Sequence, residues 1–207
     1  TETVQDGWNA VTSPVLRPTL LCNNNLTNQN FTNVKELCIS GYKRDDCGKA
    51  GLAGWTVTLT NGTYTVSTAT NATGYYEFCG LLPGSYTVTE TVQDGWTAVT
   101  SPVLSLTLAC NDNLTNQNFT NVKELCVSGY KLDDCTKAGL GGWTVTLTNG
   151  SYTVSTTTDS TGYYEFCGLL PGAYTITETV QDGWTAVTSP VLSLTLACND
   201  NLTNQNF

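Results

Sequence analysis

Histidine and methionine are both missing from this 207-residue sequence, and positive charge is scarce. Without histidine the usual general base and the commonest zinc ligand are gone, so most hydrolase and metalloenzyme readings lose their central residue. No cofactor is expected. Eight Lys and Arg stand against 17 Asp and Glu, a net charge of −9. That balance opposes binding to nucleic acid phosphates or to an anionic membrane surface. No apolar run approaches the roughly 18 residues of a membrane span, so no membrane insertion is expected in this window. No signal peptide is seen, but the sequence begins inside a repeat, so its absence carries little weight. Helical periodicity is lacking throughout.

What is present is repetition. Thr1-Glu2-Thr3-Val4-Gln5-Asp6-Gly7-Trp8 returns at Thr89–Trp96 and again at Thr177–Trp184, an 88-residue period. Residues 1–88 and 89–176 differ at only fifteen positions, including Ile39 against Val127 and Asn24 against Asp112. A catalytic pocket needs one asymmetric constellation, whereas near-identical tandem units supply length, stiffness and multivalent surface. The period divides the chain into residues 1–33, the C-terminal part of one unit; 34–121, a complete unit; and 122–207, a unit lacking its last residues. Further copies of the same repeat in series are the expected partners. The joint Val122-Lys123-Glu124-Leu125 has no Gly, Ser or Pro, which predicts little bending there.

Within each unit, alternation with a period of two dominates. Trp55, Val57 and Leu59 interleave with Thr56, Thr58 and Thr60, and Tyr86 and Val88 with Thr87 and Thr89. Turn residues arrive at short intervals, as in Asn61-Gly62, Asn71-Ala72-Thr73-Gly74 and Leu82-Pro83-Gly84. The pattern predicts strands A at 37–43, B at 54–60, C at 63–69, D at 75–79, E at 85–91, F at 103–109 and G at 114–121. The fold class is therefore all-β, with seven-stranded β-sandwiches arranged head to tail. Nine cysteines recur in register, four per unit with wide spacings and no Cys-x-x-Cys. Such spacing reads as disulfides in an oxidising, extracellular setting.

The runs Gly54-Trp55-Thr56-Val57-Thr58-Leu59, Thr73-Gly74-Tyr75-Tyr76-Glu77-Phe78-Cys79-Gly80-Leu81-Leu82-Pro83-Gly84-Ser85-Tyr86 and Asp94-Gly95-Trp96 resemble the B-type repeats of collagen adhesins and serine-aspartate repeat surface proteins. These are prealbumin-like sandwiches of bacterial and archaeal cell surfaces, and the likeness covers essentially the whole unit. It implies a stalk, spacer or pilus shaft. Calcium-binding members carry a longer Asp-rich loop after strand A, where this sequence keeps only Asp45 and Asp46. The four cysteines are also unusual for the family.

Some members of that family carry a spontaneous Lys–Asn isopeptide bond. In this sequence Leu37, Ile39 and Gly41 share a face with Lys43, Glu90 shares one with Tyr86 and Val88, and Asn121 shares one with Phe119. The alternation thus aims Lys43, Glu90 and Asn121 at the core. A buried amine loses its proton readily and becomes nucleophilic, while a buried carboxyl that keeps its proton polarises an amide. The partner of Lys131 is expected beyond Phe207. The alternative is that these are ordinary exposed residues at fraying strand ends.

In the resembled fold strands A and D are neighbours, which favours Cys38–Cys79 and Cys126–Cys167. For Cys47 two pairings stay open, with Cys198 of the next unit or with Cys110 of its own. Cys135 stands in the same position one period later. Asn-x-Ser/Thr sequons at Asn25, Asn30, Asn61, Asn71, Asn113, Asn118, Asn149 and Asn201 are candidate sites for covalently attached carbohydrate, which would shield strand edges. Equally, Asn and Thr serve turns and wet strand faces. The expected function is a non-catalytic structural module of an extracellular fibre or cell-surface stalk. The alternative is an adhesin repeat binding a host or matrix partner directly, through aromatics around Trp8, Trp96 and Trp184. Paired acids such as Glu77 and Glu90 point to opposite faces, which disfavours a glycosidase-like cleft.

Overall fold

A computed structural model describes residues 1–19, 22 and 25–207. Two compact units divide the chain. Thr1–Asp45, Lys49–Val92 and Ala98–Thr120 form the first, and Asp46–Gly48, Gln93–Thr97 and Asn121–Phe207 the second. Among the described residues every regular element is a strand. In chain order these are β1 (Trp8–Ala10), β2 (Asn33–Lys35), β3 (Leu37–Asp45), β4 (Thr56–Thr60), β5 (Thr65–Ala69), β6 (Tyr75–Leu81), β7 (Gly84–Glu90), β8 (Trp96–Ala98), β9 (Val103–Leu108) and β10 (Phe119–Lys123). They continue with β11 (Leu125–Tyr130), β12 (Thr144–Thr148), β13 (Thr153–Thr157), β14 (Tyr163–Leu169), β15 (Gly172–Glu178) and β16 (Val191–Leu196).

One sheet of the first sandwich has the order β5-β4-β7-β9, and the facing sheet has β6-β3-β10-β8. Alternation decides which side chains meet between them. Val57 and Leu59 of β4 and Val88 of β7 are wholly buried, while Thr56 and Thr58 on the opposite face are exposed or half-buried. They pack with Leu37, Ile39, Tyr76, Phe78, Leu81, Leu108 and Phe119 into one core. The second unit repeats it with Leu125, Val127, Val145, Leu147, Tyr164, Phe166, Ile176, Leu196 and Phe207. Its strands form a β13-β12-β15-β16 sheet and a β11-β14 pair.

The hairpin between β4 and β5 turns on Asn61-Gly62, with Gly62 at φ 93° and the Asn61 Oδ1 accepting from the Tyr64 N–H at 2.9 Å. Between β5 and β6, Asn71 Oδ1 accepts from Thr73 N, Thr73 Oγ1 and Tyr75 N. In the second unit Asp159 stands in that place and accepts from the corresponding Thr161 and Tyr163 groups. Gly41 marks a close approach, because a Cβ there would lie 1.9 Å from the Gln117 carbonyl oxygen. That carbonyl also accepts from the Tyr76 hydroxyl at 2.5 Å, and Gln117 N donates to Ser40 O.

The strand boundaries depart from the sequence expectation at several points: strand A runs on to Asp45, strand C starts at Thr65 and strand D runs on to Leu81. Strand B starts at Thr56 rather than residue 54, because Gly54 adopts φ 74° and its N–H goes to Thr70 O. The strand expected over 114–121 is broken. Leu114 makes a parallel bridge to Ile39, Asn116 turns left-handed at φ 59°, and regular pairing resumes only at Phe119, running on to Lys123. An eighth short strand, β8, joins the edge beside β10.

Candidate functional site: a buried lysine and its carboxylate

Lys43 lies on the inward face of β3 with its side chain fully buried, and its Nζ sits 2.5 Å from Glu90 Oε2 on β7, itself fully buried. The indole of Trp55, the residue just before β4, lies 4.3 Å from that ammonium. Burial holds the Lys43 pKa below the usual lysine range, and the glutamate offsets only part of that effect. Tyr76 belongs to the same environment: burial, reinforced by the charge of Glu90, pushes its hydroxyl well above the ordinary tyrosine value. Asn121 on β10 is wholly buried, and neither its Oδ1 nor its Nδ2 has a hydrogen-bond partner. A buried amide left unpaired is costly, on the order of 1–3 kcal/mol, and such exceptions call for a reason.

The second unit rebuilds the pair. Lys131 Nζ lies 2.8 Å from Glu178 Oε2 and 4.6 Å from the ring of Trp143, while Tyr164 repeats the raised hydroxyl of Tyr76, with burial again the main cause. A cavity of about 230 Å³ adjoins it, lined in part by Lys131, Glu178, Trp143, Trp184 and Phe207. Trp184 packs edge-on against Trp143 and stays 44% exposed. Trp8 is similarly exposed, whereas Trp96 is half-buried. The indole above each lysine was missed in the sequence, although the alternation of Trp55 with Val57 and Leu59 carried the signal.

Sulfur chemistry ties the strands. Cys38 is bonded to Cys79, joining β3 to β6, and Cys126 to Cys167, joining β11 to β14. Cys47 is bonded to Cys198, and both lie in the second compact unit. Cys110, the other partner open to Cys47, carries a free exposed thiol, as do Cys135 and Cys22. Glu77 stands beside Cys38 and Cys79, and Glu165 beside Cys126 and Cys167. With both sulfurs of each group in a disulfide, one carboxylate remains, too little for a metal site. Glu77 is exposed and Glu90 buried, on opposite faces. Asp45 is buried with its N–H bonded to Ala50 O, and the Asp46 N–H donates to Asn121 O.

All eight sequon asparagines are exposed. Asn113 Oδ1 accepts from Cys38 N and Asn118 Oδ1 from Tyr42 N, each at 2.9 Å, and Asn201 repeats the first bond to Cys126 N. These side chains therefore stand in for backbone partners along β3 and β11.

The SdrD B-like domain family matches residues 41–128 and again 127–193. The chain belongs to that family. The SdrD B-like units are also similar to a serine-aspartate repeat-containing protein F of Staphylococcus epidermidis, 34% identical over 171 residues, covering 70% of this chain. Colossin-A of Dictyostelium discoideum is 31% identical over 170 residues, covering 67% of the chain and 2% of that protein. The chain spans about a tenth of the Staphylococcus protein's length. Among solved structures, the Bacillus anthracis TIE protein aligns at 19% identity and TM-score 0.43, over 86% of this chain and 35% of its own. An SdrD B-like repeat with disulfides is an extracellular, cell-surface module.

Proposed function

We propose that this chain is a non-catalytic, load-bearing segment of a cell-surface stalk or extracellular fibre, whose complete repeat, residues 34–121, is closed by a covalent bond between Lys43 and Asn121. One observation carries the reading: Lys43, Glu90 and Asn121 are all buried, and the amide of Asn121 has no hydrogen-bond partner. Neutral Lys43 Nζ attacks Asn121 Cγ, Glu90 polarises the carbonyl and relays the amine proton to the departing nitrogen, and ammonia leaves. One C–N bond forms and one breaks, so no oxidant is needed. The eight exposed sequons support N-linked carbohydrate, because attachment at Nδ2 leaves the Oδ1 bonds of Asn113 and Asn118 in place.

Stretching the chain by its ends with its disulfides reduced tests the reading, since intact Cys47–Cys198 would itself shield residues 47–198 from extension. The bond would withhold the 78-residue separation of Lys43 and Asn121 from extension, about 260–280 Å of contour length. Lys43→Ala releases that length only if the bond existed. A second reading, direct binding of a host or matrix partner, draws on Trp184 standing half in solvent beside the cavity. Retention of the chain on matrix proteins, abolished by Trp184→Ala, would favour it over the mechanical role.

A further inference from the structure

We infer that Cys110 and Cys135 are the two halves of a disulfide made between successive copies of this repeat. The template is on the page already. Cys135 lies one 88-residue period after Cys47, and Cys198 one period after Cys110, and Cys47 and Cys198 are bonded to each other. The loops beside the free cysteines share backbone features with those beside the bonded pair. After Cys47 the loop closes through Asp45 N to Ala50 O at 2.9 Å, with Lys49 at φ 56°; after Cys135 it closes through Asp133 N to Ala138 O at 2.9 Å, with Lys137 at φ 58°. Asn111 and Asn199, which follow the other two cysteines, turn left-handed at φ 70° and 67°. Neither loop has to be rebuilt for the bond to form, so little ordering is required on docking. Cys110 and Cys135 are exposed, and no other cysteine engages either of them. Cys22 occupies the same repeat position as Cys110, but residues on both sides of it lie outside the described set.

The partner is a second copy of the unit, whose Cys110 meets Cys135 of the copy before it. Two thiols lose two protons and two electrons to a small-molecule disulfide, which leaves as two thiols by exchange. Repeated along a series, the bond would form a covalent ladder beside the backbone, so the inference rests on the stalk reading and extends it.

The test is to incubate the purified chain at high concentration with glutathione disulfide, resolve it unreduced, and map the cross-linked peptides. The expected result is a ladder of covalent multimers whose major junction is Cys110–Cys135. It persists in Cys22→Ser, and it collapses to monomer in Cys135→Ser and in wild-type protein whose thiols were first blocked with iodoacetamide. Monomer with both thiols capped by glutathione would overturn the inference, as would junctions running mainly through Cys22 or exchange to Cys47–Cys110. None of those outcomes touches the contour length measured under force, so the two readings fail separately.

Discussion

Replacing Glu90 by Gln keeps the shape of the side chain and removes the charge 2.5 Å from Lys43. Both side chains are wholly shielded from solvent, so the lysine cannot recover hydration. Removing one member of such a pair costs about 3–5 kcal/mol. If the glutamate also drives the Lys43–Asn121 bond, a loop of 78 residues opens, worth about 4–5 kcal/mol in the chain-entropy model. Once bonded, Lys43 is an uncharged amide, so the two losses are alternatives rather than a sum, and either one is a large share of the stability of a typical domain. Intact mass of the reduced protein and hydrogen exchange read the two parts separately. Wild type should weigh about 17 Da less than its sequence requires, one ammonia lost, and the variant should carry its full mass. Exchange in β4 and β7 should accelerate more than a hundredfold, while β12 and β15, governed by Lys131 and Glu178, serve as the internal reference. A wild type of full sequence mass, or a variant that keeps the deficit, would refute the cross-link. Unchanged exchange in β4 and β7 would refute the energetic argument.

Other perturbations follow from the same packing. Gly41→Ala drives a methyl into the Gln117 carbonyl and should cost several kcal/mol, read as a lower urea midpoint, whereas Gly62→Ala, with nothing within 4 Å, pays only for its φ of 93°. Replacing Cys38 and Cys79 together by Ser opens a 41-residue separation and should lower stability by about 4 kcal/mol; a midpoint unchanged within 1 kcal/mol would contradict it. Acid should loosen the β13–β14 turn before the β5–β6 turn. Hydrogen bonds hold the Asp159 carboxyl below its usual pKa, so its contribution is present above the unfolded value of 3.8 and is lost as pH falls through the folded one, whereas Asn71 does not titrate. In alkali, Tyr76 and Tyr164 have raised folded pKa values, so their contribution is complete below the ordinary value of 10 and drains away as pH climbs past it. Amide exchange and tyrosine absorbance follow these two limits.

Much of this architecture could be read from residue order because a half-buried strand must alternate. The burial of Trp55, Val57 and Leu59 against the wetter Thr56 and Thr58 is that rule made visible. The same rule sent Lys43 and Glu90 inward, since a charge in phase with a hydrophobic face has nowhere else to point. The last strand escaped it. Leu114 to Asn121 alternates acceptably, but Asn116 tolerates the left-handed region, and the close approach of Gln117 to Gly41 is a tertiary event with no local signature. The partner of Cys47 was undecided for a related reason, because loop placement depends on contacts far along the chain.

The paired turns at Asn71 and Asp159 have a practical corollary. Only the side-chain oxygen organises either turn, and the chain has exchanged amide for acid there without altering the hydrogen bonds. Sugar attached at Nδ2, as proposed, would thus leave untouched the oxygen that shapes the turn. Material made in a host that adds no sugar should reach the same native state, and if the proposed carbohydrate is attached in the native setting, its loss should show only afterwards, in how readily particles clump.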